Sequence, residues 1–232
     1  MIRSPRPRVL GGLALVTAPV VYVVTEAVTA AAWTHPQYSY AGNYVSDLGV
    51  PGPRETFLGQ DIYSPLAPVM NAGFIADGLL ALLAAILIVR FQAGHRAKAI
   101  WILSALFAAG ITLVGVFHGS KLSQQAGTIG FHFLGAPVAI IAGNVITILA
   151  GTGAAAPTLA PRLRRPLIIL GITGIAALAA EIVVIGGLPG FPAGICERLA
   201  VYAILASQLI LGLAATGVHR PAAATPIRTS PA

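Results

Sequence analysis

Residues 43–78, NYVSDLGVPGPRETFLGQDIYSPLAPVMNAGFIADG, hold most of the side chains in this sequence that could do chemistry. The stretch starts as a polar loop of Gly, Pro and Asp and ends in an apolar run that carries Asn71 and Asp77. The other groups of interest are Glu26, His118, His132, Glu181, Glu197 and Arg198, each inside or at the end of a long apolar segment. A charged side chain at a bilayer centre costs about 2.5–3.5 kcal/mol on insertion scales, so such groups face a bundle interior, a partner or water.

Two chemistries suit this set. The first is binding: Arg198 would attract an anionic head group, and Asp77 would be a proton- or ion-coupled carboxylate. Glu26, Asn43, Asp47, Asn71, His132, Glu181 and Glu197 complete the candidate lining of a pocket for a small molecule or lipid head group. The second is metal-assisted hydrolysis. His118, His132 and a carboxylate form the two-histidine, one-carboxylate set that zinc or iron accepts. The histidines lie on different segments, without H-x-x-x-H or H-E-x-x-H spacing, and no G-x-S-x-G elbow or Walker loop is present. Nothing in the sequence requires a cofactor; a divalent metal at His118 and His132 is the one metal reading its residues allow.

Each group also has a purely structural reading. Asp77 can pair with a hydroxyl to fix packing, and Glu26 and Glu181 can bridge to Arg198 or His132. His118 can be a solvated helix end. Asn71 and Asp77 are six residues apart, about 240° around a helix, so they do not share one ligand. Glu197 and Arg198 are adjacent and point two ways, so Arg198 meets Glu26, Glu181 or Asp47 rather than its neighbour. In VSDLG, Ser46 and Asp47 can cap a turn that Gly and Pro then break. That turn either plugs the mouth of a bundle or presents Asp47 to a pocket.

The elements that must position these groups are membrane helices. Of 232 residues, 56% are hydrophobic and 9% charged, against about a quarter charged in soluble domains. Apolar segments over residues 9–33, 65–91, 100–117, 128–150, 167–187 and 195–217 each approach or exceed the roughly 20 residues a span requires. The expected fold is an all-α, polytopic bundle of six transmembrane helices forming a single domain over 1–218, with a disordered cytoplasmic tail over 219–232. The first segment reads as a retained helix, because it is long and carries Glu26; a cleaved signal is the alternative. Single Cys196 excludes an internal disulfide.

Charge placement sets the orientation. With both termini inside, the inner segments hold Arg3, Arg6, Arg8, Arg90, Arg96, Lys98, Arg162, Arg164, Arg165, Arg220 and Arg228. The outer ones hold Arg54, Lys121 and Arg198. Eleven against three is the bias of the positive-inside rule. It also accounts for the net charge of +7, so nucleic acid is not an expected partner. The expected partners are the lipid bilayer and a lipid or small-molecule ligand, and the expected location is the plasma membrane, multi-pass. In this orientation Asp77 lies roughly 18 Å below the outer mouth, and nearly all the ionisable groups fall in the outer half. Ser104, Asn144, Thr147 and Ser207 are the polar residues placed in the inner half.

NYVSDLG, SPLAPVMNAGFIADG, GFHFLGAP and GLPGFPAGICERLAVY, in this order, resemble the bacterial and archaeal membrane proteins grouped as domain of unknown function 998. The resemblance spans the chain from about the first helix to the sixth. Its N-x-x-S-D-L-G element falls on Asn43, Ser46, Asp47, Leu48 and Gly49, and its later features fall on Asn71, Gly78, His132, Glu197 and Arg198. It implies an integral membrane protein and no established activity. Three functions stay open: a transport-like or lipid-binding protein, a membrane-embedded hydrolase, and a structural or accessory subunit.

Overall fold

The computed structural model describes residues 6–89, 94–153, 159–187 and 192–217; the tail expected over 219–232 lies outside them. The helices are α1 (Arg6–Ala32), α2 (Ala67–Val89), α3 (His95–Val116), the short α4 (Lys121–Gln125), α5 (Ile129–Gly151), α6 (Pro161–Ile185) and α7 (Ala193–Thr216). Among the described residues, six helices are long and apolar enough to cross a membrane; α4 is the exception.

The spans α3 and α6 start earlier than the apolar runs at 100 and 167 suggest, at His95 and Pro161. Basic residues enter these first turns because their long stems can lie along the helix while the charged heads reach the interface. Pro161 sits at a helix start, where a missing N–H costs nothing.

The six spans form a closed ring in chain order. Each packs on its sequence neighbour, α3 on α5 past the short α4, and α1 closes the ring on α7. Small residues allow this. The α3 and α5 backbones approach so closely that a Cβ on Gly110 would stand 2.7 Å from the Gly135 carbonyl oxygen. A Cβ on Gly212 would stand 2.7 Å from the Gly12 carbonyl oxygen, so α1 and α7 meet the same way.

The segment between α1 and α2 folds back onto the ring. It contains a 3-10 turn, Ser46–Gly49, and a small hairpin of β1 (Glu55–Phe57) and β2 (Gln60–Ile62) with Phe57 opposite Gln60. Leu58 and Gly59 turn the hairpin with positive φ of 48° and 75°, as a two-residue connection with matching twist needs. Val45, Leu48, Val50 and Ile62 of this segment are buried in the main core with Tyr22, Trp33, Met70 and Phe74. The loop is therefore part of the interior at one end of the bundle.

Candidate functional site

The NYVSDLG segment brings backbone polar groups into that core, and a buried N–H or C=O needs a partner. The helices supply them. Glu197, in the first turns of α7, accepts from the Val45 N–H in a short contact and from the Ser46 N–H at 3.3 Å. Arg198 Nη1 donates to the carbonyls of Tyr40 at 2.7 Å and Asn43 at 2.9 Å. Asn71 of α2 donates to the Gly49 carbonyl at 2.9 Å, and Ser64 to the Leu48 carbonyl at 2.6 Å. Adjacent residues on α7 thus hold successive parts of one loop, one as acceptor and one as donor.

All three guanidinium nitrogens of Arg198 are engaged. Its Nε donates to Glu26 Oε1 on α1 at 3.0 Å, and its Nη2 to the Tyr38 hydroxyl. The rings of Tyr40 and Tyr38 stand 4.8 Å and 5.4 Å from its Cζ, within cation–π reach. Tyr202, one turn further along α7, donates its hydroxyl to Glu26 Oε2 at 2.7 Å. The loop lands so close to α7 that a Cβ on Gly194 would be 2.1 Å from the Asn43 carbonyl oxygen. No other residue fits there without moving the loop.

Asp47 closes the turn on itself, accepting from the Tyr44 N–H at 3.0 Å. Burial pushes its carboxyl up to about 8; the Glu197 charge adds to this, and the Tyr44 N–H opposes it. Burial likewise raises the phenols of Tyr38 and Tyr44. The hydroxyl of Tyr38 reaches back to the Tyr44 carbonyl at 2.9 Å, and Asn43 Oδ1 accepts from the Ser39 N–H at 3.0 Å.

Beneath the turn lies a cavity of about 40 Å³. Val45 and Glu197 line it on the loop side, Tyr22, Phe74 and Phe107 around it, and Asp77 from α2. Asp77 is 1% exposed, and neither carboxylate oxygen has a hydrogen-bond partner among the described residues. The Gln208 amide is close enough to bear on it, yet no hydrogen bond of normal geometry forms. The space would hold about three water molecules.

A profile described as "Protein of unknown function (DUF998)" matches residues 15–214. The chain belongs to this family. No curated protein and no solved structure matches it. The family profile covers the four middle spans, most of α1 and α7, the loop and the cavity, so the DUF998 unit is the ring together with the segment folded into its end.

Within this DUF998 chain the candidate residues divide. Glu26, Asn43, Asn71, Glu197 and Arg198 converge on the loop and hold it. Asp77 and Glu197 share the cavity. Glu181, on α6, stays at the edge of this group. Its Oε2 has no hydrogen-bond partner among the described residues, and it lies near Glu197 and Tyr44. His132 lies apart, with Nδ1 2.9 Å from the Phe117 carbonyl. His118 is near it and faces Glu55, and burial lowers the His118 pKa. Among the described residues no three metal-ligating side chains converge.

Several contributors were not singled out from the sequence. Tyr38, Tyr40 and Ser64 sit in the loop, where nothing local marks a partner. Tyr202 carried a usable signal, since it follows Arg198 by four residues and so shares its helix face. Gln208 next to Ser207 continues a polar layer in which Thr147 and Ser207 hydroxyls meet at 2.8 Å and Asn144 donates to the Ala200 carbonyl at 3.0 Å.

Proposed function

We propose that this protein is a loop-gated, transport-like binding protein of the bilayer, in which the cavity over Asp77 is the closed form of a solute site. The observation that carries this reading is Asp77, a buried carboxylate that lines the cavity and accepts no hydrogen bond of normal geometry among the described residues, with the Gln208 amide as its polar neighbour. An intramembrane ionisable group facing a cavity is a functional site by default, because packing alone would select a paired or apolar residue. The loop supplies the gate. It is latched by side chains from α2 and α7, and the bonds to Glu197 and Arg198 can open without unfolding a helix. The positive-inside bias supports placing the gate on the extracytoplasmic face.

A thiol placed in the cavity tests the gate. Leu205 lines the cavity and is 5% exposed. In a Cys196→Ser background reconstituted in vesicles, Leu205→Cys should react slowly with a membrane-impermeant thiol reagent. Adding Glu197→Gln weakens the latch at the Val45 and Ser46 N–H groups. Losing one of the two buried acceptor oxygens is worth about 1–3 kcal/mol, so labelling should rise roughly five-fold to a hundred-fold. An unchanged slow rate in a monodisperse double variant overturns the gate.

A second reading is an accessory subunit, supported by the closed pairing of Glu26, Arg198 and the loop carbonyls. It leaves Asp77 without a role, and the two readings diverge on what removal of that carboxylate does to stability.

A further inference from the structure

We infer that the cavity over Asp77 takes a small organic cation, a primary alkylammonium of a few heavy atoms, in exchange for a proton on Asp77. The inference rests on reading this space as a solute site. Its lining includes two carboxylates, Asp77 and Glu197, and no Lys, Arg or His. Glu197 already accepts from the loop N–H groups, whereas Asp77, beside the Gln208 amide, accepts no hydrogen bond of normal geometry among the described residues. A guest that neutralises Asp77 is therefore a proton or a monovalent cation.

The donor set separates organic from metal cations. Calcium takes six to eight oxygen ligands and magnesium demands six; apart from the two carboxylates and the Tyr22 phenol, the side chains around this cavity are apolar. An ammonium head needs a carboxylate, and its alkyl end fits hydrocarbon and aromatic faces, here Tyr22, Phe74 and Phe107. The volume, about 40 Å³, matches roughly three water-sized groups rather than a lipid head group.

The exchange balances. Protonated Asp77 loses its proton to water as the cation enters, and the carboxylate then pairs with the ammonium, so the net charge of the site is the same before and after, with Glu197 unchanged. The titratable groups facing Asp77 are the Tyr22 phenol from α1 and Glu197 from α7, with the uncharged Gln208 amide beside them. The α3 and α5 walls are apolar, with Phe107, Ile111 and Ile140 toward the cavity.

Calorimetry on the full chain in nanodiscs tests this, with ethylammonium as probe, ethanol as its neutral counterpart and sodium as the metal control. The expected result is saturable ethylammonium binding with proton release, read from buffers of different ionisation enthalpy. Binding should vanish in Asp77→Asn and survive in Asp77→Glu, with no heat from ethanol or competition from sodium. Equal ethylammonium binding by Asp77→Asn, or displacement by sodium, overturns the proposal. Should Asp77→Asn fail to fold, protection of Leu205→Cys from labelling by ethylammonium but not ethanol decides in its place, and absence of protection overturns it. If unlatching exposes Leu205→Cys while ethylammonium neither binds nor protects, the cation assignment fails and the gate stands. If unlatching never exposes that thiol, the gate itself fails.

Discussion

Arg198 donates through Nε to Glu26 Oε1 at 3.0 Å, joining the last span to the first across 172 residues of chain. The pair sits where the ring of helices closes, and both side chains are nearly buried, at 9% and 2% exposure. A buried pair recovers its desolvation cost only when the remaining donors and acceptors are met. Here the guanidinium fork also reaches the Tyr40, Asn43 and Gly194 carbonyls, and Glu26 Oε2 accepts from Tyr202. Ring closure and loop docking therefore share one side chain.

Removing either partner alone should be costly. Glu26→Gln or Arg198→Met leaves an uncompensated buried charge or a set of unpaired carbonyls, worth about 3–5 kcal/mol. The double variant should cost less than the sum of the two, because neither charge is then stranded. Thermal unfolding in detergent of the two single variants and the double gives the coupling. Strict additivity would mean that the pair does not act as a unit. Arg198→Lys should recover little, since an ammonium cannot span the same fork of acceptors.

Gly194→Ala tests how tightly the loop is seated. The added Cβ would meet the Asn43 carbonyl oxygen at 2.1 Å and Arg198 Nη1 at 2.9 Å, backbone on one side and a charged anchor on the other. Overpacking of this kind costs on the order of 1–3 kcal/mol, and the loop should yield before the helix does. Trp33, packed on Tyr38 at 5.1 Å between centroids with the rings tilted by 48°, reports it. In a Trp101→Phe background, Gly194→Ala should shift Trp33 emission to the red, and an unshifted spectrum would mean that the loop had not moved.

The loop should also loosen as pH rises. In the unfolded chain Asp47 titrates near 3.8, and in the folded loop it is pushed up to about 8. Below the lower value both states hold the proton and Asp47 contributes nothing to the pH dependence. Between the two the unfolded chain gives up its proton while the folded loop keeps it, so docking weakens with increasing pH and levels off above about 8. Amide exchange of residues 44–49, corrected for its intrinsic pH dependence, should show opening grow across that window. Asp47→Asn keeps an oxygen acceptor for the Tyr44 N–H and should flatten the profile.

Much of this was legible from residue types. The six spans follow from apolar length. A bond from Arg198 to Glu26, Glu181 or Asp47 follows from burial and from the adjacency of Glu197, and the structure selects Glu26. The destination of the loop was not legible. Whether SDLG plugs the mouth or offers Asp47 to a pocket depends on whether helix side chains meet its backbone groups, and that is set by contacts such as Val45 to Glu197, 152 residues apart. Local patterning carries no information about such pairs. Asn71 and Asp77 show the contrast: their angular separation predicted different partners, but only the packing reveals that one holds the loop while the other lines the cavity beside the Gln208 amide.

Asp77→Leu separates a working carboxylate from a structural one. If Asp77 braced the bundle, its removal would cost stability, as removal of Glu26 should. With both oxygens unpartnered it braces nothing by hydrogen bond, and it carries the desolvation cost of a buried polar group, about 1–3 kcal/mol. Leucine is similar in size and suits a cavity walled by Phe74, Phe107 and Ile111. The substitution should therefore raise the unfolding temperature, while Glu197→Leu, which strands the Val45 and Ser46 N–H groups, should lower it. A stabilising loss at one carboxylate and a destabilising loss at the other, within a single cavity, is expected where the first is kept for binding and the second for holding the gate. A fall in unfolding temperature for Asp77→Leu comparable to that for Glu197→Leu would assign both to packing and leave the accessory-subunit reading in place.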